Sequence, residues 1–126
     1  MPKHEFLLKK TKENIFSKER CVVVVISDDL ILHISYSLKW VQTTWNDEVN
    51  LKKGLNCYGY SWIEDKAKFR DIICSWRSLF LSADEQIIFD KNCALNKSSV
   101  IEQLDSLLEL IDSAIKNDLY ILHLGI

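Results

Sequence analysis

The sequence predicts an α+β domain: an antiparallel or mixed sheet of about five strands carrying two main helices on one face. Three observations lead there. Short segments of alternating or β-branched apolar residues are interleaved with two segments whose apolar residues recur at helical spacing. The order of those segments, β-β-β-α-β-α-β, mixes the two types without the strict alternation of a parallel α/β fold. And 126 residues form one domain, residues 1–126, that buries enough apolar surface to fold without disulfide or metal support.

Taken in order, Glu5 to Phe16 carries neither period and is assigned to no element. The CVVVVI run at Cys21 to Ile26 is too β-branched for a helix of its length, and Ser27-Asp28-Asp29 supplies turn chemistry after it. The stretch Leu30 to Trp40 alternates Leu30, Leu32, Ile34, Tyr36, Leu38 and Trp40 with His33, Ser35, Ser37 and Lys39, which predicts a second strand completing a hairpin. A polar loop from Thr43 to Gly54 leads to a third strand at Asn56 to Trp62. Glu64 to Phe80 has helical period, with Phe69, Ile72, Ile73, Trp76, Leu79 and Phe80 on the core side and Lys66, Lys68, Arg70 and Arg77 towards solvent. A short strand at Glu85 to Phe89 precedes a second helix, Ser98 to Lys116, opened by a capping box of Ser99 and Glu102. The terminal LYILHLGI is dense enough in apolar residues for a buried strand.

Composition bounds the function. The chain is 48% hydrophobic, with four Trp, five Phe and four Tyr, which excludes disorder as the main state. Its longest apolar runs fall far short of the roughly 18 residues of a membrane span, and the first ten residues lack a signal-peptide hydrophobic region, so the expected location is the cytoplasm. Cys21, Cys57, Cys74 and Cys93 are widely spaced with no CxxC pair, so reduced thiols are expected. A net charge of −2 and a pI near 5.9 argue against nucleic-acid binding. Charge is polarised: residues 1–20 hold six Lys/Arg against three Glu, residues 98–118 one Lys against five acids.

Catalytic chemistry finds little support. None of the three histidines has a second His or Cys at metal-ligand spacing, and with only three glycines no loop can cradle phosphates, so no metal and no cofactor is expected. Cys57 or Cys74 could meet His33 or His123 in space, but a buried thiol and a strand-face imidazole are the simpler reading. Of the paired acids, Asp28-Asp29 suits a turn and Glu64-Asp65 a helix start.

Two acidic surfaces are harder to dismiss. Glu102, Asp105, Glu109 and Asp112 recur along one edge of the last helix, repelling one another at i,i+3 and i,i+4 with no interleaved lysine, a cost of a few tenths of a kcal/mol per pair that a cationic partner would reverse. Asp47 and Glu48 sit in a loop beside Trp45, a composition suited to docking a basic partner. Trp40, Trp62 and Trp76 fall in phase with core positions, leaving Trp45 as the exposed anchor.

A mildly acidic single domain with acids on one helix and in a Trp-containing loop resembles the immunity proteins of bacterial polymorphic toxin and contact-dependent growth inhibition systems. The likeness is one of overall character and carries over no individual residue. It implies a protein that presents carboxylates to the basic active site of a toxin, such as a nuclease, and occludes it. A different class is a small-ligand binder or enzyme with a pocket lined by Tyr36, Tyr58, Tyr60 and Trp62. A further one is an adaptor that homodimerises through an exposed strand edge.

Overall fold

The computed structural model, which describes residues 2–18, 21–45, 50–90 and 93–126, runs β1 (Lys3–Lys9), β2 (Val23–Ser27), α1 (Asp28–Leu38), β3 (Gln42–Trp45), β4 (Lys52–Lys53), β5 (Tyr60–Ile63), α2 (Lys66–Phe80), β6 (Gln86–Asp90), β7 (Cys93–Asn96), α3 (Lys97–Asn117) and β8 (Tyr120–Leu124). The α+β class holds. Six strands form one antiparallel sheet in the order β2-β1-β8-β5-β3-β4, and β6 pairs with β7 in a separate hairpin.

The alternating segment Leu30 to Trp40 is a helix, not the second strand of a hairpin. Ser27 caps α1 by accepting the Leu30 N–H, and Asp28 and Asp29 complement the helix dipole in its first turn. The residue that decides the period is Ile31. It is 2% exposed, whereas Leu32, on the apolar side of the strand pattern, is 54% exposed. Leu30, Ile31, Ile34 and Leu38 make a helical stripe, and Leu32, Tyr36 and Trp40 face solvent.

The unassigned segment Glu5 to Phe16 begins with most of β1, an interior strand between β2 and β8. Both its faces are covered, which erases alternation: Phe6 and Leu8 join the helix-side core, Leu7 packs on the other face. Lys9 is buried as well, its ammonium donating to the carbonyls of Asn14 and Ser17 and so closing the loop that follows.

The helix side of the sheet presents Phe6, Leu8, Val24, Ile26, Ile63 and Ile121, over which α1, α2 and α3 contribute Leu30, Ile34, Phe69, Ile73, Leu104 and Ile111. On the far side Leu7, Tyr60, Trp62 and Leu122 pack with Ile15 and Cys21 from the loop between β1 and β2. Asp65 caps α2 by accepting the Lys68 N–H. Asn96, not Ser99, caps α3, accepting the Ser99 N–H at 3.0 Å. Leu79 leaves the predicted core stripe of α2 and is exposed. At the foot of the sheet Gly125 and Ile126 donate to the carbonyls of Gly59 and Cys57, each at 2.8 Å, so the chain end is tied to the turn before β5.

Candidate functional site

The acidic stripe divides in two. α2 and α3 pack antiparallel, and Arg70 meets Asp112 while Arg77 meets Asp105. Both arginines are one heptad apart, as are both aspartates, so the pairs rivet one helix along the other. These bonds hold the Arg70 and Arg77 guanidiniums above their ordinary range, chiefly through the carboxylate hydrogen bond. The expectation that the stripe lacks compensating cations fails for these two acids: the cations come from the neighbouring helix. The matching i,i+7 spacing of Arg70/Arg77 and Asp105/Asp112 was the available signal.

Glu102 and Glu109, also one heptad apart, are exposed. They line an open groove of about 490 Å³ together with Glu85, Lys97, Ile101 and Asp105. Four acids there face one lysine, and a 21-residue helix pinned at two points supports them. Such a surface can offer carboxylates to a cationic partner with little loss of backbone freedom.

Trp45 ends β3 and is half-buried, its indole N–H donating to Thr43 Oγ1 and to the Gly54 carbonyl, both at 3.0 Å. Its polar end is thus engaged within the chain, and the fully exposed anchor expected at this position is not found. Asp47 and Glu48 lie outside the described residues. The tryptophan that is exposed is Trp40, beside Tyr36, in a shallow apolar groove between α1 and α2 lined also by Trp76 and Leu79.

The alternative aromatic pocket does not assemble. Tyr36 and Tyr58 are 74% and 86% exposed, on α1 and in the turn before β5. Tyr60 and Trp62 are buried in the sheet's far face, where Trp62 packs edge-on to Tyr120 and the Lys12 ammonium lies over both rings.

One polar constellation escaped the sequence reading. His4, His123 and Ser61 are wholly buried and line up beneath the first turn of α1. The Asp28 carboxylate can only accept, so His4 Nε2 donates to it at 2.7 Å. His4 Nδ1 and His123 Nε2 share a hydrogen bond at 2.8 Å, His123 Nδ1 and Ser61 Oγ share one at 3.4 Å, and Ser61 accepts the Asn56 N–H at 2.7 Å. Burial, reinforced by His4, pushes His123 down to about 3, which keeps it neutral. The order Ser-His-His-Asp looks like a relay, yet the Ser61 hydroxyl shows no surface to a substrate. Its parts come from four distant segments, β1, α1, β5 and β8, and nothing in the sequence announces that β1 and β8 pair.

Burial and the charge of Asp28 push the Cys57 thiol up, away from the reactive thiolate. His33, on α1 and not in a strand, packs against Trp76 and Phe80, and burial lowers its pKa. Cys57 and Cys74 are in no disulfide. Among the described residues no group of three or more His, Cys, Asp and Glu is placed to hold a metal, and no helix is long and apolar enough to cross a membrane.

Fold and surface together define an α+β domain with exposed carboxylates on the helix α3. Compared with models of protein families, with curated proteins and with solved structures, the chain matches none.

Proposed function

We propose that this protein is a non-catalytic binding module: an immunity protein that neutralises a cognate toxin domain in the bacterial cytoplasm by occluding its basic active site with α3. The observation that carries this reading is the division of labour along the stripe. Asp105 and Asp112 brace the helix against α2, and Glu102 and Glu109 are left projecting from it with no cation bonded to them among the described residues. A cleft built to hold phosphates is cationic and preorganised, and two carboxylates one heptad apart on a rigid helix match it in sign and in rigidity. Cys57 and Cys74, in no disulfide, fit a cytoplasmic setting. Trp45, Asp47 and Glu48 remain a candidate second contact, with Trp45 offering only the exposed part of its ring.

The test is protection. Growth of cells expressing a cognate toxin domain should be rescued by the wild-type chain and not by Glu102→Lys with Glu109→Lys. Full rescue by that folded variant would show that these acids do not make the contact.

A further inference from the structure

We infer that β2 is the seam of a two-fold dimer, in which a second copy of the chain adds its own β2 antiparallel to the first. This does not rest on the immunity reading. β2 is an edge of the six-stranded sheet. Leu8 N–H bonds to the Val22 carbonyl and Asp28 N–H to the Pro2 carbonyl, so the even-numbered residues of β2 face β1, and the N–H and C=O groups of Val23, Val25 and Ser27 turn outward. Among the described residues one outward group is satisfied: Gln103, reaching down from α3, accepts the Ser27 N–H at 2.7 Å.

That cap ends the free edge on one side, and on the other Cys21 N–H turns back to Lys18. What remains is Val23 and Val25, symmetric about Val24. A copy rotated about an axis through Val24 sets Val23 opposite Val25 of its mate, and each free N–H then meets a free C=O. No other register of this strand with itself satisfies both residues at once.

The surroundings suit the same occupant. The edge carries none of the usual devices against pairing: no proline, no charge, no bulge, and the Val22, Val23 and Val25 side chains are exposed. On the helix side a groove of about 540 Å³ runs between β2 and α3, its helical wall made of Ser99, Glu102, Gln103 and Ser106. Two small serines one heptad apart let a second helix approach closely. Lys3 lines the same groove as Glu102, so two copies bring both signs of charge into the seam. Glu102 stands between this groove and the one it shares with Glu109, and Glu109 lies outside the seam.

The experiment is light scattering with size exclusion across micromolar to near-millimolar concentration, paired with amide hydrogen exchange. The wild-type chain should approach twice its 14.7 kDa mass as concentration rises. The Val23 and Val25 amides should slow at least tenfold in step with that rise, while Val24 exchanges alike throughout. Val23→Lys with Val25→Lys should be monomeric with the circular dichroism of the native fold; should that variant not fold, the concentration dependence of the two wild-type amides decides alone. A monomer at every concentration would overturn the inference, as would a dimer whose Val23 and Val25 amides stay fast or one that survives the two lysines.

Discussion

His4 holds Asp28 with one ring nitrogen, at 2.7 Å, and His123 with the other, at 2.8 Å. It thereby ties the first turn of α1 to the junction of β1, β8 and β5. Buried hydrogen bonds of this kind contribute roughly 1 kcal/mol each, but losing one partner strands the rest in a dry interior and costs more.

The chain of imidazoles makes stability depend on pH. His123 is pushed down to about 3 from 6.5, so between those values the unfolded chain binds a proton that the folded chain refuses. Its contribution is complete above pH 6.5 and drains as pH falls towards 3, at up to about 1.4 kcal/mol per unit. In urea unfolding followed from about pH 6 to pH 4, His123→Gln should flatten the slope by nearly one proton. A slope equal to wild type would mean that His123 titrates normally.

Helical phase in α1 is open to a direct comparison of neighbours. Ile31→Asp places a charge in the core and should cost about 3 kcal/mol or more, whereas Leu32→Asp should stay within roughly 1 kcal/mol. Chemical denaturation distinguishes the two, and the reverse ranking would restore the strand.

These two residues also show how much was legible. α2, α3, β8 and the α+β class could be read because each has one strong period or one dense apolar run. Leu30 to Trp40 could not, since Leu30, Ile34 and Leu38 satisfy periods of 2 and of 3.6 alike, and only Ile31 separates them. β1 was hidden by burial on both faces. At the candidate site the exposed acids Glu102 and Glu109 were legible as charges, whereas the pairing of Asp105 and Asp112 shows only when the heptad spacing of Arg70 and Arg77 on the other helix is set beside theirs.

The split of the stripe predicts unequal effects of charge reversal. Asp105→Lys sets a cation against Arg77 and should lower the melting temperature. Glu102→Lys relieves its i,i+3 repulsion with Asp105 and should leave stability unchanged or raise it by a few tenths of a kcal/mol. Thermal melts at low salt separate them; a matching loss in both would mean that the stripe acts as one unit.

Gly125 should tolerate no side chain. A Cβ there would lie 2.3 Å from the Cys57 carbonyl oxygen and 2.8 Å from that of Asn56, both backbone atoms that cannot swing aside. Gly125→Ala should destabilise the domain by about 1–3 kcal/mol, and faster exchange of the Ile126 amide would localise the damage to this turn. A melting temperature equal to wild type would show that the terminus yields without cost.

The central claim, that α3 presents carboxylates to a cationic toxin, is tested most directly by the association rate measured against ionic strength. Wild-type chain and a cognate toxin domain should associate fast at low salt and slow steeply as salt rises. Glu102→Lys with Glu109→Lys, equally stable, should associate at least about tenfold more slowly with a shallower salt dependence. Identical rates and identical salt slopes for the two proteins would contradict the account.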